Sequence, residues 1–398
     1  MPEQFPFARR ANWTLAANPL MAAFEELRNK KVSVLDLTES NPTRCGFASL
    51  QENIIAALSK NSNLVYVPSA SGMLPARRAI AQYYRRKNIS CDPSRIFLTS
   101  STSEAYSFLL RLLLNPGERL LVPIPSYPLF QYLAELNDVE LDHYPLRYEN
   151  GLWSIDLDAL AESVTSETRA IILVNPNNPT GSFLSDEELV VINAIARKHQ
   201  LALIGDEVFL DFVLEERVRP LSLAENESVL TFTLGGISKS LGLPQMKLAW
   251  IATNGPADVV QAAIKRLEII LDTYLSVNTP VQNALPQWLE QRESIHQEIQ
   301  ERLRTNLQQI SDQVAQTPGV QALTVHGGWY LILRLPDHRD EEEWVMDFLQ
   351  KDHVFVHPGY FFDFIDEPYI VISLLPEPLI IQKGLVSILK RIQSARTK

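Results

Sequence analysis

One lysine among small residues is the first group in this sequence whose surroundings suggest chemistry. Lys239 lies in Gly235-Gly236-Ile237-Ser238-Lys239-Ser240-Leu241-Gly242, just beyond the apolar run Leu230-Thr231-Phe232-Thr233. Most lysines are solvated surface. One flanked by serines and glycines after a buried strand is suited to forming a Schiff base with a carbonyl group. Three other groups follow apolar runs in the same manner. Thr99-Ser100-Ser101-Thr102-Ser103 follows Ile96-Phe97-Leu98 and opens a helical stretch that reaches Leu114. Hydroxyls and free N–H groups at a helix start form an anion site suited to a phosphate, although a serine there also serves as a plain N-cap. Asn175-Pro176-Asn177-Asn178-Pro179-Thr180-Gly181 follows the run at 170–174, and its prolines and glycine fix a turn that holds an amide in place. Gly205-Asp206-Glu207 follows the run at 201–204 and sets a carboxylate one crossover unit further along.

The elements that must position these groups are legible as a pattern. The runs are apolar throughout, with no polar alternation, as expected of strands buried on both faces of a parallel sheet. Ser185-Asp186-Glu187-Glu188 before Leu189, Val190 and Ile192 is a capping-box start to an amphipathic helix. Strand–helix–strand order of this kind predicts a layered α/β domain, in which ligands sit at the carboxyl ends of the strands. Beyond about residue 285 the texture changes to polar helices (287–313) and a few strands, including Trp329-Tyr330-Leu331-Ile332-Leu333 and Tyr369-Ile370-Val371-Ile372-Ser373. The expected organisation is a large α/β domain over 46–285 with a mostly parallel sheet between helices. A smaller α+β domain over 286–398 is completed by residues 1–45, where Leu35-Asp36-Leu37 reads as a short strand.

Bulk properties exclude several classes. A chain of 398 residues is too long for one small core and fits about two domains. The net charge of -11 argues against a nucleic-acid partner or an anionic membrane surface, both of which need clustered cations. The two cysteines, Cys45 and Cys91, lie outside any Cys-x-x-Cys pattern, so neither a disulfide framework nor a cysteine zinc site is expected, and a reducing compartment fits. No run approaches the roughly 18 apolar residues that span a bilayer, and the first residues lack a signal-peptide core. A cytoplasmic location is the expectation.

Taken in order, Ser101-Thr102-Ser103, Tyr127, Asn178, Asp206, Ser238-Lys239 and Lys247 resemble the class I/II aminotransferases. This is the aspartate aminotransferase superfamily, of fold-type I and dependent on pyridoxal 5′-phosphate. The resemblance runs from about Leu35 to Leu374. It implies that Lys239 carries the cofactor as a Schiff base and then shuttles a proton, and that Asp206 pairs with the pyridine nitrogen. It implies that Asn178 bonds the 3′ oxygen, that Tyr127 stacks on the ring, and that Ser101, Thr102, Ser103, Ser238 and Lys247 hold the phosphate. Tyr66 resembles the tyrosine that reaches the phosphate of a neighbouring subunit, which implies a homodimer. The implied reaction moves an amino group between an amino acid, or a related amine, and a 2-oxo acid. The same residues also serve a lyase or a decarboxylase. A non-catalytic regulator that binds the cofactor is a more remote alternative, since such proteins carry a DNA-binding segment ahead of this domain.

Four positions depart from the family pattern. Ser101 stands where glycine is usual, and Lys247 where arginine is, so the phosphate meets a point charge rather than a bidentate fork. Phe209 replaces a tyrosine that donates to the 3′ oxygen. Val371 stands where an arginine usually grips the substrate carboxylate, and no arginine occurs between Arg339 and Arg391. Arg44, in Ser40-Asn41-Pro42-Thr43-Arg44, is the replacement candidate; an amino donor without a carboxylate at that spot is the other account. Trp329 is a candidate for lining an apolar substrate pocket, and aromatic residues at such spacing also serve as plain core.

Overall fold

Inside each apolar run the side chains alternate between two faces, and that alternation builds the layers. The computed structural model describes residues 5, 7–50, 54–215, 218–275, 277–364 and 368–396. A short strand, β1 (Leu35–Asp36), precedes eight that form one sheet. These are β2 (Ile96–Thr99), β3 (Arg119–Ile124), β4 (Glu140–Glu149), β5 (Leu152–Ile155), β6 (Thr168–Val174), β7 (Ala202–Asp206), β8 (Thr231–Gly236) and β9 (Ala249–Asn254). Their order across the sheet is β2-β9-β8-β7-β6-β3-β4-β5. The pairs β8–β7, β7–β6, β6–β3 and β3–β4 are parallel, whereas β9 runs antiparallel to both β8 and β2.

Leu120, Val122, Ala170, Ile172, Ile204 and Phe232 face helices Thr102–Leu113 and Ala257–Tyr274 on one side of the sheet. Their strand neighbours Leu121, Ile171, Leu173 and Leu203 face helix Asp186–His199 on the other, through Ile192 and Ala196. Toward the β2 edge, Ile96, Leu98 and Trp250 pack on helices Leu74–Arg85 and Thr279–Glu290. Gly235 in β8 permits this, because a Cβ there would lie 2.6 Å from the Trp250 ring.

The C-terminal part holds β10 (Gln321–Ala322), β11 (Tyr330–Arg334), β12 (Val354–Phe355), β13 (His357–Pro358) and β14 (Tyr369–Ser373). Four of them form an antiparallel sheet in the order β10-β11-β14-β13. β1 pairs in parallel with β12, and Phe24 of helix Pro19–Asn29 stacks on Phe355 at 4.2 Å. The 285–286 junction lies inside helix Thr279–Glu290, and helix Arg292–Ala315 follows almost directly.

The expected strands at 96–99, 120–122, 170–174, 201–204 and 230–233 are present: the first has the expected bounds, those at 120–122 and 170–174 are longer, and those at 201–204 and 230–233 begin one residue later and run two or three residues further. β4 and β5 are not singled out by the sequence. They lie at the sheet edge, and charged residues such as Glu140, Asp142 and Arg147 break the apolar texture. β9 is fully buried, but apolar texture says nothing about strand direction.

The capping box is formed: the Ser185 hydroxyl accepts from the Glu188 N–H at 3.1 Å, and the Glu188 carboxylate accepts from the Ser185 N–H at 2.8 Å. Ser185→Ala should lower the unfolding free energy by ~1 kcal/mol, the usual cost of losing an N-cap side chain, as read by urea denaturation.

Candidate active site

Strands that share a direction deliver whatever follows them to one edge of the sheet. Ser101–Ser103 follow β2, Tyr127 follows β3, Asn178 follows β6, Asp206 ends β7, and Ser238 and Lys239 follow β8. Lys247 precedes β9, and because β9 is reversed its beginning lies at that same edge. Ala249 pairs with both Thr99 and Gly236, and the Ile237 N–H donates to the Leu248 carbonyl at 3.1 Å. The hydroxyl-rich loop, Ser238 and Lys247 thus belong to three adjacent strand ends.

Lys239 lies in a one-turn helix, Ile237–Ser240, and its ammonium is walled by aromatic rings. Nζ stands 4.8 Å from the Trp329 ring centroid and 5.3 Å from that of Phe209. The two rings pack edge to face at 5.3 Å, and Trp329 is fully buried. Burial drives the lysine down from 10.5 to about 8, against the attraction of the Asp206 carboxylate. At roughly 1.4 kcal/mol per unit, the site favours the neutral amine by roughly 3 kcal/mol relative to water.

Asp206 has the complementary property. Burial raises its carboxyl, opposed by the Tyr106 hydroxyl at 2.8 Å, the Val208 N–H at 3.1 Å and the charge of Lys239. Its neighbour Glu207 is held separately, by the Leu223 N–H at 2.6 Å and the Ser222 hydroxyl at 2.8 Å, and burial brings it to about 7.

Tyr106 escapes a reading of the sequence. It sits on the buried face of helix Thr102–Leu113, where its ring counts as core, and only a search for the partner of its hydroxyl would single it out.

The remaining sites fall into two sets. At the start of helix Thr102–Leu113, the Ser101 hydroxyl is the N-cap and accepts from the Glu104 N–H at 3.1 Å. The first-turn N–H groups of Thr102 and Ser103 have no helical acceptor. Asn178 is buried, and its amide oxygen has no hydrogen-bond partner among the described residues. Tyr127 is 42% exposed, and burial of its hydroxyl pushes it up to about 12. Lys247, by contrast, is exposed, with its backbone in the left-handed region (φ 53°).

Tyr66 and Arg44 also stand on the surface. Tyr66 is 66% exposed. Arg44 ends a short 3-10 turn, with its side chain 73% exposed and its guanidinium 3.8 Å from Glu39. Val371 is fully buried in an apolar cluster with Leu323, Ile332, Phe362 and Tyr369.

Tyr106→Phe removes a donor from an ionised carboxylate and should raise Asp206 further. A carboxyl held above its unfolded value costs stability at neutral pH, and the cost is relieved as pH falls through the folded-state value. The variant should therefore lose ~2 kcal/mol at pH 7. The gap to the parent should narrow in urea titrations at lower pH.

The chain matches the family described as aminotransferase class I and II over residues 33–377. It is 29% identical over 366 residues to the glutamate-pyruvate aminotransferase AlaA of Escherichia coli K12, covering 90% of each chain. It is 29% identical over 355 residues to an alanine aminotransferase of Mycobacterium tuberculosis H37Rv, covering 86% of this chain and 82% of the relative. A crystal structure of an Escherichia coli aminotransferase superposes with a TM-score of 0.87 at 27% identity, covering 98% of each chain. An aspartate aminotransferase variant of Thermus thermophilus, at 21% identity and a TM-score of 0.81, shares the fold. With Lys239, Asp206 and Asn178 at the carboxyl edge of its large sheet, this chain belongs to the class I and II aminotransferases and has their fold-type I architecture.

Proposed function

We propose that this aminotransferase works with pyridoxal phosphate held on Lys239 and exchanges an amino group between an amino acid and a 2-oxo acid. The observation that carries the reading is the Lys239 amine, walled by Phe209 and Trp329, lowered to about 8 and facing Asp206. A neutral amine is the form that condenses with an aldehyde, and burial supplies it near physiological pH.

The surrounding groups suit the cofactor. Asp206, already gripped by Tyr106 and Val208, would receive the pyridine N–H. Asn178, buried at the strand end, would donate its amide N–H to the 3′ oxygen, and the half-exposed Tyr127 would cover the ring. Thr102 and Ser103 would offer backbone N–H groups and hydroxyls to the phosphate, with Ser101 fixing the helix start and Ser238 and Lys247 closing the cradle. Bound there, the cofactor supplies an electron sink for the carbanion formed at the substrate's Cα. The Lys239 amine would move the proton to and from that carbon.

A homodimer is part of this reading. Leu64, Val65, Tyr66 and Val67 are 87%, 60%, 66% and 61% exposed, an apolar run suited to covering by a second subunit. From that position Tyr66 would reach the neighbour's phosphate site. Amino acid and 2-oxo acid as the substrate pair are supported by the names of the relatives, which include glutamate-pyruvate and alanine aminotransferases.

The carboxylate anchor is then Arg44. Val371 faces an apolar cluster, so β14 offers no cation at that place. Arg44 has a loose partner in Glu39, and Tyr330, at the start of β11, packs its ring near Phe209.

Two measurements test the reading. In the chain loaded with pyridoxal phosphate, an amino acid donor should shift the visible absorbance of the cofactor, and a 2-oxo acid should restore it. Lys239→Ala should lower turnover by ~10⁴-fold. Ammonia release without the reversible shift would overturn transamination. For the anchor, Arg44→Ala should raise KM for an α-amino acid donor by ~10-fold or more with kcat little changed, as expected for uniform binding. An unchanged KM would remove Arg44 from the site.

A further inference from the structure

A second buried charge cluster lies behind the aromatic wall and has no part in the chemistry described so far. The Asp211 side chain is 2% exposed and contacts two cations, Lys87 by an ion pair and Arg292 at 3.2 Å. The Tyr83 hydroxyl donates to it at 2.9 Å, and Lys87 donates to Tyr83 at 2.8 Å. Its backbone carbonyl accepts from His296 Nε2 at 2.9 Å. Three separate elements meet here: the end of helix Leu74–Arg85, the segment after β7, and the first turns of helix Arg292–Ala315.

The same segment carries Phe209, one of the two rings that enclose the lysine, and backs the other, Trp329. Phe212, next to Asp211, stacks on His296 at 5.6 Å and meets Trp329 edge to face at 5.1 Å. Its carbonyl accepts from the Gly328 N–H at 2.9 Å, one residue before Trp329. A side chain at Gly327 would strike Phe183 at 2.6 Å and the Phe212 carbonyl at 2.8 Å, so the two strips of backbone are in close contact. The Phe212 N–H in turn donates to the Phe209 carbonyl at 2.9 Å. Both rings over Lys239 are therefore joined to the backbone that Asp211 holds.

We propose that Asp211 is a positioning residue for the reaction, whose carboxylate pins the segment carrying Phe209 and Phe212 and so, through Phe212 and Trp329, keeps water from the Lys239 amine. The inference rests on Lys239 being the reactive amine. Asp211 is well suited to a fixed charge: burial pushes its carboxyl up, but Lys87 and Arg292 outweigh this and hold it at about 2, so it stays ionised throughout the working range. Asp206 is the charged group that faces Lys239, and the nearby phenols of Tyr127 and Tyr330 are kept neutral by burial.

The test reads the amine directly. In the full chain, stripped of cofactor with hydroxylamine, acetylation of Lys239 by acetic anhydride is followed by mass spectrometry against pH. The parent should reach half-labelling near pH 8, where an ordinary lysine needs about 10.5. Asp211→Asn should move the midpoint up by about one pH unit as water enters behind the rings. Asp211→Asn combined with Lys87→Met also removes one of the two cations left unpaired, and should show the same rise. A midpoint at the parent value in the folded double variant would overturn the proposal. Should neither variant fold, Phe212→Leu, which interrupts the same chain of contacts and leaves the ion cluster whole, should give the rise; an unmoved midpoint there would overturn it equally. A parent midpoint near 10.5 would instead sink the reactive-lysine reading itself.

Discussion

Burial of an amine and a carboxylate in one weakly polar site is the constraint on which the rest of this structure depends. Lys239 and Asp206 attract each other, yet each is moved toward its neutral form, because for both the loss of water outweighs the attraction. The outcome differs from an ordinary salt bridge. A lysine lowered to about 8 can act as a nucleophile and a base, whereas one paired at contact distance would stay charged.

Asp211 shows how narrow the difference is. It is as deeply placed as Asp206, but two cations and a phenol contact it, and its carboxyl falls to about 2. Asp206 has one phenol, one backbone N–H and a cation that faces it through space. Burial is common to the two; the number of cations in contact decides the sign. One carboxyl is pushed toward its neutral form and the other becomes a fixed charge of the scaffold.

Strand direction does the remaining work of assembly. The strands β2, β3, β6, β7 and β8 end at one edge, so residues far apart in the chain meet without long loops. The reversed strand β9 is what brings Lys247 to the same place, because it enters the sheet at the edge where its neighbours leave it.

The sequence by itself determined five of the eight strands of the large sheet, their apolar burial, and the order of Ser101–Ser103, Asn178, Asp206 and Lys239 after them. Those features are local: apolar runs, turn residues and a capping box act over a few positions. It also showed that Val371 stands where an arginine is usual, a matter of residue type alone. The direction of β9, the tyrosine beneath Asp206, the rings of Phe209 and Trp329 around the amine, and the cluster that binds Asp211 to Lys87 and Arg292 were decided only by the tertiary structure. Each depends on contacts between segments distant in the chain. In the sequence Tyr106 looks like a core residue, Trp329 like core or the lining of a pocket, and Lys87 like a surface charge, and packing alone turns them into partners of a carboxylate or of an amine.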